Sequence, residues 1–412
     1  MRAQVIAVPP RSVDEPTLLI TLNGPDRPGV SARLFGALAP TSATVLDVEQ
    51  VVVRGHLTLA VLVTTGGGPE SRLTALAREL ATELGMSISV RSGHGDNATR
   101  PRGRLHVTVL ASPLLPAAVA EVADRIAAEG ANIDRIRRLS RWPVTTVELD
   151  VSGGDVGALR AALAAVAVRH GVDIAVAPAG LARRGRRLVV MDVDSTLIQD
   201  EVIELLAAHA GREAEVEQVT TRAMAGELDF AQSLHERVAC LAGLPVDVLA
   251  RTRDAVRLTP GARTLVRTLR RLGFTVALVS GGFAEIVEPL ATELGIRLTS
   301  ANRLEVADGR LTGRVLGQVV DRAGKAAALR RFAEAERIPL SRTIAVGDGA
   351  NDVDMLVAAG LGIAFNAKPV VREQADASVT VPYLDSVLYL LGIPRQEIEE
   401  ADAADGITSD LF

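Results

Sequence analysis

Three short apolar runs beyond residue 185 each stop at a turn built from carboxylates, serine and glycine, and this pairing limits the fold more than any other feature. Leu188–Met191 runs into Asp192-Val193-Asp194-Ser195-Thr196, Thr275–Val279 into Ser280-Gly281-Gly282-Phe283, and Ile344–Val346 into Gly347-Asp348-Gly349-Ala350-Asn351-Asp352. A fourth run, Leu361–Phe365, follows, and helical patterns separate the four. Unbroken apolar runs spaced by helices are how strands buried on both faces read. A parallel sheet with helices on each side is therefore expected over residues 186–395. Ligands of such sheets gather at the carboxyl ends of the strands, so the three turns should converge.

Each turn offers chemistry and has an ordinary explanation beside it. Asp192 can act as a nucleophile that takes up a phosphoryl group. Asp194, two residues on, can give a proton to a leaving alkoxide and take one from water. The pair also attracts a hard divalent cation. A solvated turn with two capping aspartates fits the same letters. Ser280 and Gly281 stand where a helix would open, and its free N–H groups together with the serine hydroxyl favour phosphate. A plain N-cap with flexible glycines fits as well. Asp348, Asn351 and Asp352 read as a metal seat with its support, or as a run of Asx turns. Lys325 begins the helix Ala326–Glu336. Of 45 Lys and Arg residues only Lys325 and Lys368 are lysines. A compact ammonium can screen phosphate from Asp192 where a planar guanidinium does not fit. Lys368 is given no role.

Upstream, the order β-α-β-β-α-β occurs twice. It runs through Thr17–Leu22, Val30–Leu38, Val45–Val53, Leu57–Val63, Ser71–Leu84 and Ser87–Val90, and again through Leu105–Leu110, Pro116–Glu129, Asn132–Leu139, Thr145–Val151, Val156–His170 and Val172–Ala175. Domains are expected at 15–92 and 104–178, with the polar stretch Ser92–Gly103 between them. The basic stretch Leu181–Arg187 leads into the α/β segment. Glu201–Thr259 is a helical insertion after its first strand, and Leu304–Val315 a hairpin turning at Asp308-Gly309. Residues 396–412 form an acidic tail expected to be loosely ordered.

A net charge of −5 and a pI of about 5.8 argue against a nucleic-acid partner. No apolar run reaches the length of about 18 residues that a membrane helix needs. The first residues lack the apolar stretch of a secretory signal. One cysteine, Cys240, excludes an internal disulfide. The expected setting is the cytoplasm.

The four pieces in their order resemble the site of haloacid-dehalogenase phosphotransferases. Residues 187–394 closely resemble phosphoserine phosphatases in DVDSTLIQDEVIE, TRAMAGELDFAQSLHERV, LTPGA, LVSGGF, GKA and VGDGANDVDML. The resemblance implies a Rossmann-like parallel sheet with a small helical cap at about 201–259. It implies hydrolysis of O-phospho-L-serine to L-serine and phosphate through an aspartyl-phosphate on Asp192, with Asp194 as general acid and base. Mg2+ would be held by Asp192, by Asp194 through its backbone carbonyl, and by Asp348. Ser280, Gly281, Lys325 and Asn351 would bind the phosphoryl group, and Asp352 would support the metal. In the cap, Glu201 would bind the substrate ammonium and Arg237 its carboxylate, with Met224 and Phe230 lining the closed cavity. Those charges suit a zwitterion, although alone they would read as a solvated helix face.

The two N-terminal repeats resemble ACT domains, ferredoxin-like βαββαβ modules that bind amino acids. The likeness is best in GPDRPGV at 24–30, where Gly24 and Asp26 would touch an effector. L-serine, the reaction product, is the inhibitor to expect, and side-by-side pairing of ACT modules implies a homodimer. A turn stiffened by two prolines is the other reading of that segment. The second repeat has Ala111-Ser112-Pro113-Leu114-Leu115-Pro116 there, without the glycine or the aspartate. Two other functions stay open: a phosphatase for a different phosphate ester, and an amino-acid sensor with an inactive phosphatase half.

Overall fold

The computed structural model describes residues 15–95, 104–180, 185–224 and 227–407. In the first module β1 (Pro16–Pro25), α1 (Val30–Leu38), β2 (Val45–Val53), β3 (His56–Thr64), α2 (Glu70–Leu84) and β4 (Ser87–His94) form an antiparallel sheet in the order β2-β3-β1-β4. Alternation dictates the packing. Leu18, Ile20 and Leu22 of β1 and Leu57, Leu59, Val61 and Val63 of β3 face Val30, Leu34, Leu38, Leu73, Ala77 and Leu80 of the two helices. The strand β1 runs three residues past the expected Leu22, because Gly24 pairs with Leu57 and Pro25 with His56. The turn thus begins at Asp26, and Gly24 is part of the sheet.

The second module repeats the pattern with β5 (Leu105–Ala111), α3 (Pro116–Ala128), β6 (Asn132–Ser140), β7 (Thr145–Ser152), α4 (Val156–His170) and β8 (Asp173–Pro178), in the order β6-β7-β5-β8. Here β5 is buried along nearly its whole length. Val107 and Val109 pack under its helices, while Leu110 and, from neighbouring elements, Leu139, Val144 and Ala175 join the core of the α/β segment. The edge strand β8 lies beside the α/β segment. The buried Asp173 carboxylate accepts from Ser378 Oγ at 2.8 Å and from the Thr380 N–H at 2.8 Å.

The α/β segment comprises β9 (Leu188–Met191), α5 (Val202–Ala210), α6 (Glu213–Met224), α7 (Phe230–Ala239), α8 (Asp247–Ala255), α9 (Ala262–Arg271), β10 (Thr275–Phe283), α10 (Ala284–Glu293), β11 (Leu298–Ala307), β12 (Arg310–Leu316), α11 (Arg322–Ala335), β13 (Thr343–Gly347), α12 (Val353–Ala358), β14 (Leu361–Phe365), α13 (Pro369–Arg372), β15 (Ala377–Val379), α14 (Ser386–Leu390) and α15 (Arg395–Ala404). Its sheet has seven strands in the order β12-β11-β10-β9-β13-β14-β15, parallel except for β12. Both faces are covered. Val189 and Met191 enter one core and Leu188 and Val190 the other, which explains the unbroken LVVM. The helices α5–α8 leave the sheet after β9 and return before α9 as the cap. The hairpin β11–β12 supports it, since Gly243 donates to Leu311 and Leu311 to Leu244.

Two expectations change. The extended backbone of β10 continues to Phe283, so α10 starts at Ala284 and not at the glycines. The chain from 395 to 407 is also not a loose tail, and 408–412 lie outside the described residues. Helix α15 buries Ile398 and Asp402, and the Asp402 carboxylate is taken by Arg267, at 2.9 Å from Nε, and by Arg271. Among the described residues no helix is long and apolar enough to cross a membrane.

Candidate active site

Asp192 leaves the end of β9 at the middle of the sheet, and its N–H donates to Val346 at the end of β13. The next five residues make one wide turn closed by Ile198 N–H on the Val193 carbonyl. Ser195 sits in it with φ 54°, in the left-handed region that a serine rarely adopts. This turn throws the three polar side chains in different directions. The Asp192 carboxylate accepts from Lys325 Nζ. The Asp194 carboxylate accepts from the Val202 N–H at 2.8 Å and from Ser280 Oγ at 2.9 Å. Thr196 Oγ1 donates to Asp348 at 3.1 Å, which ties the first turn to the third.

Lys325 comes to the same cluster from α11. Lys325, in the first turn of α11 and fully buried, places Nζ 2.7 Å from Oδ1 of Asp192 and 2.7 Å from Oδ1 of Asp352. The other Asp352 oxygen accepts from the Gly349 N–H at 2.9 Å. Burial pulls the Lys325 pKa down, yet the two carboxylates hold it above its usual value. Burial pushes Asp192 well above the usual carboxylate range, and the Asp352 charge adds to this against the pull of Lys325. Asp194 is raised by burial too, against the Val202 and Ser280 hydrogen bonds. Asp348 is pushed up to about 6, by burial and then by the Asp352 charge.

Ionised, Asp192, Asp194, Asp348 and Asp352 around one ammonium would leave a surplus of negative charge. Ligand oxygens of Asp192, Asp348 and Asp352 lie within 4.8 Å of one another. A compact all-oxygen set of this kind fits a hard divalent cation. Both Asp352 oxygens are already engaged, which leaves Asp192 and Asp348 as the freer donors.

A cavity of about 240 Å³ opens over this cluster. Asp192, Asp194, Gly281, Lys325, Asp348 and Asn351 form its floor, and Glu201, Phe230 and Arg237 come from the cap side. Gly281 allows the cap to approach: a Cβ there would stand 2.9 Å from the Phe230 ring. Glu201 and Arg237 share the cavity, but among the described residues neither forms an ion pair with the other. Ser195 Oγ donates to Glu201 at 2.8 Å. Loss of hydration followed by the Asp194 charge raises Glu201 to about 7. Burial lowers Arg237, against the charges of Glu201, Glu204 and Asp194. Met224 ends α6, and its side chain lies outside those described.

The sequence reading gives Ser195 and Thr196 no role, yet they hold Glu201 and Asp348 at the cavity. They belong to a motif that was recognised, but their partners, at Glu201 and Asp348, are fixed only by the wide turn. In the first module Asp26 donates its N–H to Gly55, and a Cβ at Gly24 would stand 2.8 Å from Met86.

Family models match each of the three segments. The haloacid dehalogenase-like hydrolase family matches residues 189–357, and ACT domain families match residues 16–91 and 105–177. The chain is 59% identical over 399 residues to a phosphoserine phosphatase of Streptomyces coelicolor, covering 97% of each chain. It is 52% identical to phosphoserine phosphatase SerB2 of Mycobacterium tuberculosis, covering 94% of this chain and 96% of the other. Among solved structures, a probable phosphoserine phosphatase from Vibrio cholerae aligns with a TM-score of 0.54 and 34% identity over 72% of this chain and 88% of that one.

Proposed function

The chain belongs to the phosphoserine phosphatases, and from that we propose that it hydrolyses O-phospho-L-serine to L-serine and phosphate through an aspartyl-phosphate on Asp192. The observation that carries the reading is that Asp192, Asp194 and Lys325 line one cavity, with Lys325 bonded to Asp192 and Asp352 and Asp194 to Ser280, the buried Asp352 and Ser280 standing behind them.

A carboxylate oxygen of Asp192 attacks phosphorus, and the bond to the serine oxygen breaks. Lys325 holds Asp192 and offsets the charge gathered on the phosphoryl oxygens. Asp194 suits the general acid, because it lines the cavity beside Asp192 and its carboxylate is held there by the Val202 N–H and Ser280 Oγ. Water then attacks the aspartyl-phosphate. Asp194 takes its proton, and Asp192 is restored as phosphate leaves. Ser280, Gly281 and Asn351 would bind the phosphoryl oxygens. Glu201 would receive the ammonium and Arg237 the carboxylate, with Phe230 and Met224 closing the cap. Asp192, Asp348 and the Asp194 carbonyl would hold Mg2+, which when bound supplies positive charge to the phosphoryl oxygens.

The decisive assay is phosphate release from O-phospho-L-serine, with Mg2+ or with EDTA, for the parent and for Asp192→Asn. Mg2+-dependent turnover that vanishes in the variant supports the reading. A folded, metal-loaded parent without turnover sinks it.

L-serine is the proposed effector of the first module, at Gly24 and Asp26. The close packing of Gly24 on Met86 gives that glycine a structural reason as well. A homodimer is proposed through these modules. In support, β2 is an edge strand that exposes Val45, Val48, Val51, Val52 and Val53. Titrating serine into the phosphatase assay and sedimentation of the full chain test the two ideas separately. A cytoplasmic setting belongs to the same proposal, and cell fractionation tests it.

A further inference from the structure

Strands β10 and β11 pair in parallel at Ala277–Val279, then lose register and meet again only at Phe283 and Asn302. The shift frees Ser280, Gly281 and Gly282 from the ladder, so that this stretch can face a ligand. It also leaves the Gly281 carbonyl without a strand partner at the interior end of a sheet, where an unpaired carbonyl is costly. The side chain of Asn302, 1% exposed, replaces the missing partner: Nδ2 donates to the Gly281 carbonyl at 2.8 Å. Its other end is also engaged, since Oδ1 accepts from the Val320 N–H at 2.8 Å.

Val320 precedes Asp321, the residue that caps α11. The Asp321 side chain accepts from the Gly324 N–H at 2.7 Å, and its carbonyl from the Lys325 N–H at 2.8 Å. One buried amide thus spans the two elements that bring Gly281 and Lys325 to the same cavity. We infer that Asn302 is a positioning residue for phosphoryl transfer, setting the separation between the Gly281 loop and the helix that carries Lys325. The inference rests on the reading that Gly281 and Lys325 bind the phosphoryl group. Only an amide suits the place: a carboxylate cannot donate to the Gly281 carbonyl, and an aliphatic side chain serves neither partner.

The test uses the full chain with Mg2+, inorganic phosphate as competitive inhibitor, and the variants Asn302→Asp and Asn302→Leu. Misplacement of a binding element by about 1 Å can cost on the order of a hundredfold. In both variants kcat is expected to fall, and the inhibition constant for phosphate to rise, by about ten- to a hundredfold per folded molecule. Leu304→Ala, two residues along β11 and buried in the core, is the control. It should lose stability and keep the parent's inhibition constant. Asn302 variants that bind phosphate as the parent does, whatever their stability, overturn the inference.

Should neither variant fold, amide hydrogen exchange of the parent decides. The Val320 N–H is expected to be protected like the interior of α11, and exchange at the rate of an open loop overturns the assignment. A parent that neither turns over phosphoserine nor is inhibited by phosphate defeats the reading of the site, and the inference with it. A working parent matched by its Asn302 variants defeats the inference alone.

Discussion

Lys325 and Asp192 meet across 2.7 Å at the floor of the cavity, almost closed to solvent, and the same ammonium is held equally closely by Asp352. Two buried carboxylates on one cation make the nucleophile costly to keep. The Asp192→Asn variant is expected to lose turnover by at least about a thousandfold and, without added metal, to melt higher than the parent, because one crowded negative charge is gone. Calorimetry beside the phosphate assay checks both. A variant that is inactive and less stable would contradict this account of the site's electrostatics.

Removing the cation should do the opposite. Lys325→Met leaves Asp192 and Asp352 facing each other without their shared cation, and breaking a buried pair in this way costs roughly 3–5 kcal/mol. Urea unfolding of the metal-free protein measures it. A loss below about 1 kcal/mol would mean that the carboxylates simply take up protons.

Ser195 is expected to act on affinity. Its hydroxyl holds the Glu201 carboxylate at 2.8 Å, and one such hydrogen bond contributes about 1 kcal/mol. Ser195→Ala should raise KM for phosphoserine several-fold and change kcat little. An ester without an amino group should show no difference between parent and variant. Equal effects on both esters would place Ser195 in the chemistry of the phosphoryl group.

Stability should fall with rising pH through Asp385. Burial pushes this carboxyl from 3.8 up to about 6. It ionises more readily in the unfolded chain, so its contribution is best below the unfolded value and is lost progressively between pH 4 and 6. The full span corresponds to about 3 kcal/mol. Asp385→Asn should therefore be more stable than the parent at pH 8, with the gap closing toward pH 4. A gap that does not change with pH would refute the shift.

Metal should stabilise the folded chain by mass action, by about 2.7 kcal/mol at a hundred times its dissociation constant. Asp348→Asn should remove most of that gain. A melting curve unmoved by Mg2+ in the parent would argue against the cluster as a cation seat.

What could be read from the letters was whatever repeats along the chain or sits in a compact motif. The alternation in β1 and β3, the unbroken LVVM and the turns after three strands all report local periods, and they gave both the modules and the floor of the cavity. Asn302 was silent because its two partners, Gly281 and Val320, are joined to it only by a register shift between strands. Helix α15 was misread because its acidic letters suggest solvent, whereas Arg267 and Arg271, far back in the chain, take up Asp402. The strand at Gly24 was taken for a turn because glycine and proline usually mark one. The Cβ-free approach to Met86 was the competing reason.

The contact of Asp173 with Ser378 and Thr380 has a consequence for handling the protein. An open strand edge is a template for aggregation, and here the borders of two sheets, β8 and β15, shield one another. A chain shortened to begin near residue 186 would bare the border of the catalytic sheet. It would also strip cover from the core that Leu110, Leu139, Val144 and Ala175 complete. A chain beginning near residue 101 keeps this seal, and of the two it is the fragment expected to stay in solution.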